Sequence, residues 1–241
     1  YLSQKLASVH LDVPVHLDWT EISYKGPNLP ALKAFLEEME FQNLMKRFDF
    51  KVDEPSGFSR GEYKCVDSEV ELKAMVKRLM GCSVLAVDTE TTSLNIHDAE
   101  LVGVSLSGYS GESYYVPVGH VDPVSKHRLP QQLDGSIVKT ELKKILEDPE
   151  ILKLGQNIKY DLQILKNFGI EMQGVGADTL VESYLLDPDQ KHGLDALAFR
   201  YLKHQNITYE EVTGKGKSQI LFSEVYKHEQ GYLEISCRSV K

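Results

Sequence analysis

The sequence predicts an α/β domain, a mixed β-sheet flanked by helices, with a helical N-terminal appendage. Three observations carry that expectation. Short β-branched apolar runs are too brief to be helices, amphipathic stretches at three- and four-residue spacing lie between them, and a Gly/Ser/Pro-rich stretch sets the opening residues apart.

Residues 1–50 read as the appendage. Leu11 to Trp19 mixes Val, Pro, His and Asp without a steady period, Lys25-Gly26-Pro27-Asn28 is a turn, and Pro30 marks a helix start. Leu32, Phe35, Leu36 and Met39, then Leu44 and Phe48, form a helical packing stripe. Residues 51–61, with Pro55, Ser56, Gly57, Ser59 and Gly61, read as a linker, and residues 62–241 as the compact domain.

Within that domain Ser68-x-x-Glu71 is a capping box, followed by Leu72, Met75, Val76 and Leu79 on one helix face and Gly81 as a stop. Val84 to Val87 is continuously apolar, the mark of a strand covered on both faces. Leu101 to Leu106 and Ser113 to Val118 predict an antiparallel meander turning through Gly108 to Gly111, and His120 to Asp134 predicts an exposed loop. A short helix is expected over Lys139 to Leu146 and a strand over Ile151 to Leu154. Asn157 is expected to cap, with its side-chain oxygen, a helix carrying Asp161, Leu162, Leu165 and Phe168 and closed by Gly169. Gly176-Ala177-Asp178-Thr179 is expected to open a further helix through Leu186 with Asp178 as its N-cap, and Gly193 to Leu202 another, with Leu194, Leu197 and Ala198 inward. Gly214-Lys215-Gly216-Lys217-Ser218 is no nucleotide cradle, because the first glycine of a phosphate loop would fall at Glu211.

Composition narrows the classes. A 241-residue chain that is 41% hydrophobic can bury a sizeable core. Its formal charge of -9 argues against coating duplex nucleic acid by bulk electrostatics. Cys65, Cys82 and Cys237 are too scattered for a disulfide framework or a zinc site. No apolar stretch approaches the roughly 18 residues of a membrane span, so a cytoplasmic protein with no membrane association is expected.

The chemistry begins where the apolar run ends, at Asp88-Thr89-Glu90. Two carboxylates two positions apart on a strand emerge on one face and repel, and a hard divalent cation with oxygen ligands relieves that repulsion. A strand running out into a solvated acidic turn would look the same. Likewise a capped surface helix would look like Gly155 to Asp161. Taken together, strand-borne Asp88 and Glu90 with helix-borne Asp161 could serve a pair of divalent ions about 3.5–4 Å apart, the arrangement that hydrolyses phosphodiesters.

Asp88-Thr89-Glu90 with Leu94, Gly155-Gln156-Asn157-x-x-Tyr160-Asp161, and Gly176-Ala177-Asp178-Thr179 with Glu182-Ser183-Tyr184 resemble the proofreading 3′-to-5′ exonuclease domain of bacterial family A DNA polymerase I, from about Glu62 to Tyr232. The opening segment, through Lys5-Leu6-Ala7, Asp12-Val13-Pro14 and Lys25-Gly26-Pro27, resembles the tail of the 5′-nuclease domain that precedes it there. The resemblance implies a ribonuclease-H-like sheet in which Asp88, Glu90 and Asp161 hold two Mg²⁺ or Mn²⁺ ions. It implies that Leu94 wedges beside the terminal base, that Gln156, Asn157 and Tyr160 line the strand path, that Lys191 lies near the terminal phosphate, and that Tyr209 stacks on a base. The implied partners are a single-stranded DNA 3′ end and a polymerase domain.

The chain departs from that family at its end. Tyr232, which the resemblance assigns to orienting the attacking water, is present, but Ser236 stands where the last metal-binding aspartate would be. A neutral hydroxyl is a poor ligand for a hard dication, and Glu234 is misplaced by two positions. The final ten residues no longer resemble the family, which suggests truncation or an altered reading frame. Two other readings therefore stay open: a catalytically silent single-stranded DNA-binding or scaffold module, and an RNA-processing exonuclease of the same superfamily.

Overall fold

The computed structural model describes residues 1–9, 12–14, 18, 20, 23–39, 41–45, 47–48, 50, 61–202, 204, 206–216 and 219–225. The chain divides into two compact units, Tyr1–Asp53 and Glu54–Lys241.

The first unit holds α1 (Leu2–Ala7), α2 (Leu29–Glu38) and α3 (Gln42–Met45). Asn28 caps α2, its side chain accepting the Ala31 N–H at 3.2 Å, and Pro30 lies in the first turn, where its missing N–H costs nothing. Of the expected apolar stripe only Leu36 is buried, while Phe35 and Met39 are exposed. The period forms the helix, with Leu36 as its one buried residue among the described ones.

The second unit is a six-stranded mixed sheet in the order β1-β4-β3-β2-β5-β6. Its strands are β1 (Glu62–Cys65), β2 (Val84–Thr91), β3 (Leu101–Tyr109), β4 (Glu112–Pro117), β5 (Leu152–Gly155) and β6 (Val175–Asp178). β2, β3 and β4 form the antiparallel meander, and β1 joins β4, β5 joins β2 and β6 joins β5 in parallel. Helices α4 (Glu69–Leu79), α5 (Gly135–Leu146) and α6 (Ile158–Phe168) cover one face, followed in the chain by α7 (Thr179–Leu186), α8 (Leu194–Leu202) and α9 (Tyr209–Thr213).

Burial explains β2. Leu85 and Val87 enter the large core with Leu72, Met75, Leu79, Ile145 and Leu165, while Ala86 packs on a smaller cluster of Val102, Tyr115, Val212, Phe222 and Val225 on the other face. Both faces are covered, so the run carries no polar alternation until Asp88. Ser68 caps α4 as expected, its hydroxyl accepting the Glu71 N–H at 3.3 Å, but Glu71 does not close a reciprocal box: its carboxylate accepts from the Ser68 hydroxyl at 2.7 Å.

Three expectations are corrected. First, β1 and β6 are strands that the sequence does not announce. Four-residue edge strands are too short to show a period, and their neighbours supply the pairing. Second, α5 begins at Gly135 rather than Lys139, because Asp134 accepts the Ser136 N–H at 2.8 Å and caps it. Third, the loop from His120 to Asp134 is exposed at residues 124–128, 130, 131 and 134 as expected, but it is anchored near its ends, where His120, Gln132 and Leu133 are buried. The Gln132 carboxamide accepts the His120 N–H at 3.0 Å and donates to the carbonyls of His120 at 2.6 Å and Leu129 at 3.0 Å. That bracket satisfies the backbone groups a buried loop would otherwise leave unpaired.

Candidate active site

The site is built where two neighbouring parallel strands end. The β2–β5 ladder runs from Val84 to Ala86, after which β5 turns at Gly155 into α6. A buried β2 amide beyond that point needs another acceptor. Asp161, in the first turn of α6, provides it: its Oδ1 takes the Thr89 N–H at 2.8 Å and the Thr89 hydroxyl at 2.6 Å. Asp161 is 2% exposed and Thr89 7%.

Asp88 and Glu90 flank Thr89 and are half-buried on the opposite side of the strand. Burial first, then the charge of Asp88, pushes the Asp161 carboxyl up to about 7, against the two bonds from Thr89. Glu90 sits at a bulge, where its β3 partner is Gly103 and that of Thr91 is Leu101. Gly103 is required there, because a Cβ would run into the Tyr115 ring. Tyr209 opens α9 behind a capping box made by Thr208 and Glu211. Burial foremost, with the charge of Glu90 adding, raises its phenol. The chain thus brings Asp88, Glu90, Asp161 and Tyr209 to one end of β2.

The start of α6 differs from expectation. Asn157 does not cap it: the residue adopts a left-handed conformation (φ 67°), and its side-chain oxygen accepts from the Lys159 ammonium. Asp178 is the cap instead, accepting the N–H of Asn157 at 3.0 Å and of Ile158 at 3.1 Å, and it also caps its own helix α7 through the Leu180 N–H at 2.9 Å. A carboxylate suits both helix N-termini, where the dipoles point their positive ends at it. A non-glycine residue held at positive φ costs energy that these bonds offset.

Tyr160 reaches across to the turn after β2, its hydroxyl donating to the Ser93 carbonyl at 2.6 Å and lying 2.6 Å from the Thr91 hydroxyl. Asn167 holds the same turn by donating to the Ile96 carbonyl at 2.9 Å. Leu94 projects from it 92% exposed. Gln156 is engaged within the protein: its carbonyl oxygen accepts from the Thr179 hydroxyl and its amide donates to the His192 carbonyl at 2.8 Å. The neighbouring Lys191 is exposed and lines a cavity of about 570 Å³ with Tyr184, Gln190, Gly193 and Leu194. His192 is buried, bonded to the Ser183 hydroxyl at 2.8 Å and stacked on Tyr184.

The family model described as 3′-5′ exonuclease matches residues 63–227. The chain belongs to that family, as an exonuclease domain of the DNA polymerase I type. This 3′-5′ exonuclease domain is 35% identical to the DNA polymerase I of Pseudomonas aeruginosa over 96% of its own length and 26% of that polymerase. Against the DNA polymerase I of Chloroflexus aurantiacus it is 29% identical over 92% of its own length and 27% of the relative, so the chain spans about a quarter of each. Among solved structures, Escherichia coli RNase D is similar with a TM-score of 0.52 at 17% identity, covering 74% of this chain and 41% of that one. A nuclease in its apo form reaches 0.53 at 20% identity, covering 76% of both chains. At such identities the likeness is one of fold, the ribonuclease-H-like sheet.

Several expected exonuclease residues lie outside what can be described. Tyr232, Glu234 and Ser236 fall beyond the described residues, and the family match ends before them. The resemblance of the opening residues to a 5′-nuclease tail lies outside that match as well. Among the described residues no three His, Cys, Asp or Glu side chains form a ready-made metal cage. The donor set nevertheless fits a hard dication, since Asp88 lies close enough to buried Asp161 for its charge to add to the cost of ionising that second carboxylate. Sequence reasoning overlooked Thr89 and the second role of Asp178. The hydroxyl between the two acids was visible, but nothing local tells that its partner lies on another element.

Proposed function

We propose that the chain is a two-metal-ion 3′-to-5′ exonuclease that removes nucleotides from single-stranded DNA 3′ ends, as a proofreading domain does beside a polymerase domain. The observation that supports this most is the clamping of Asp161 beneath β2 beside Asp88, because repelling carboxylates at a strand end favour divalent cations. Asp88, Glu90 and Asp161 would hold Mg²⁺ or Mn²⁺. Ions bound there would acidify the attacking water and neutralise charge on the departing oxygen. In the reaction water adds to phosphorus, the bond to the 3′ oxygen breaks, and a nucleoside 5′-monophosphate leaves.

The side chains around that point divide the remaining work. Tyr232 would orient the water, Leu94 would separate the last base from its neighbour, and Tyr209 would stack on a base. Tyr160 and Asn157 would flank the strand near Leu94 and α6. Lys191 would face a phosphate, while Gln156 holds the loop that carries it. Cytoplasmic location follows from this reading, and no helix among the described residues is long and apolar enough to cross a membrane.

Ser236 gives a second reading its support: with a hydroxyl in place of the last acid, the same surface would bind a DNA 3′ end without cutting it. A 5′-labelled single strand incubated with Mg²⁺ or Mn²⁺ separates the two. Weak digestion by the natural chain, lost in Asp88→Ala and raised in Ser236→Asp, is the expected result. Equal digestion by the natural chain and Asp88→Ala would overturn the catalytic reading, and affinity without cleavage would favour the binding module. An RNA strand in the same assay tests the RNA-processing alternative.

A further inference from the structure

We propose that Thr89 is the positioning residue for Asp161: it fixes which carboxylate oxygen faces a cation, an inference that rests on the metal-dependent reading above. Thr89 continues the inward row of Leu85 and Val87, both fully buried in the large core. A hydroxyl in such a row carries a desolvation cost unless it is bonded, and a valine would fill the same space without that cost. Here the hydroxyl and the backbone N–H of the same residue converge on the single atom Oδ1 of Asp161, at 2.6 and 2.8 Å.

Two donors on one oxygen stop the carboxylate turning about its Cβ–Cγ bond, which leaves Oδ2 as the atom through which Asp161 would meet a cation. Hydrogen bonds to an ionised acceptor are also the stronger kind. The N–H alone would still tether Asp161 but would leave its plane free to swing. Thr89 therefore acts through Asp161 and touches neither metal nor substrate. A purely structural role, joining α6 to β2, would change stability and leave metal affinity alone.

The test is a titration of Mn²⁺ followed by electron paramagnetic resonance, alongside single-strand digestion, on the natural chain, Thr89→Val, Thr89→Ser and Asp88→Ala. Thr89→Val should bind Mn²⁺ roughly tenfold or more weakly, with turnover recovering as Mn²⁺ is raised, whereas Thr89→Ser, which keeps the hydroxyl, should stay within about threefold of the natural chain. Thr89→Ala is a second hydroxyl-free variant should the valine disturb folding, and its thermal midpoint separates loss of fold from loss of metal. Unchanged Mn²⁺ affinity in a folded Thr89→Val or Thr89→Ala overturns the proposal while leaving the exonuclease reading intact. If Asp88→Ala digests like the natural chain, the exonuclease reading falls, and the titration still decides Thr89. A natural chain that binds no Mn²⁺ overturns both.

Discussion

The Tyr160 hydroxyl donates to the Ser93 carbonyl at 2.6 Å, so the turn presenting Leu94 is fastened to the same helix that carries Asp161. The fastening residue and the candidate ligand are consecutive in α6. The position of any wedge at Leu94 is therefore set by the helix that sets the acid, and a shift of α6 would move both.

Tyr160→Phe removes that fastening and keeps the ring. The expected cost is ~1 kcal/mol, or about fivefold in KM for a single strand, with the Asn167 bond to Ile96 still holding the turn in part. Amide exchange over residues 93–98 should quicken while the core amides of β3 stay protected. Unchanged exchange in that turn would show that the hydroxyl does not restrain it.

Asp178 holds two helices, so its removal should cost more than an ordinary cap. Asp178→Ala strands the N–H groups of Asn157, Ile158 and Leu180 and removes a negative charge from two helix N-termini. A loss of ~2–3 kcal/mol is expected in urea unfolding, about twice that of a single cap. Asp178→Asn keeps an acceptor and should recover about half. A loss within that of a single cap would mean that Asn157 holds its left-handed conformation unaided.

Burial lowers the His120 imidazole to about 4, eased by a hydrogen bond to the Ser223 backbone. Its Nε2 lies 2.8 Å from the Tyr115 hydroxyl, its ring sits beside Phe222, and the short turn 222–224 that bears Phe222 also bears Glu224, paired with Lys126. Because the folded value is below the unfolded one near 6.5, the unfolded chain takes up a proton first as pH falls. Stability from this group is complete above about 6.5 and is lost as pH drops towards 4, on the order of 3 kcal/mol at most. Urea unfolding at pH 7 and pH 4.5 should show that loss in the natural chain and a smaller one in His120→Gln.

The sequence announces those parts of the fold whose causes are local. Ser68 writes an N-cap three residues before Glu71, and Leu72 to Leu79 writes a buried face at helical spacing, so the start and the inward face of α4 are legible. The cover on both faces of β2 was legible because Leu85 and Val87 meet one cluster and Ala86 the other. β1 and β6 were not, since four residues of mixed polarity become strands only when β4 and β5 offer them an edge. The same division runs through the site. The acids at 88, 90 and 161 stand out as residue types at motif spacing, but the bonds joining Thr89 to Asp161 span 72 positions and those from Asn157 and Ile158 to Asp178 span 21 and 20. Asn157 looks like a cap in the sequence for that reason: a better acceptor arrives from β6, and the asparagine is left to bend the chain.

Gln156 offers the sharpest separation between lining a path and shaping one. Its carboxamide is occupied on both sides, by the Thr179 hydroxyl and by the His192 carbonyl, so its effect on a DNA strand would pass through the loop bearing Lys191. Gln156→Leu keeps the volume and breaks both bonds. KM for a single strand should rise about three- to tenfold while kcat changes less, because binding is weakened equally in the ground and transition states. Lys191→Ala should lower the slope of log affinity against log salt by about 1, the signature of one lost phosphate contact. If Gln156 acts through that loop, the double variant Gln156→Leu with Lys191→Ala should bind little worse than Lys191→Ala alone. Full additivity would instead mean that Gln156 leaves its internal partners and meets the strand itself.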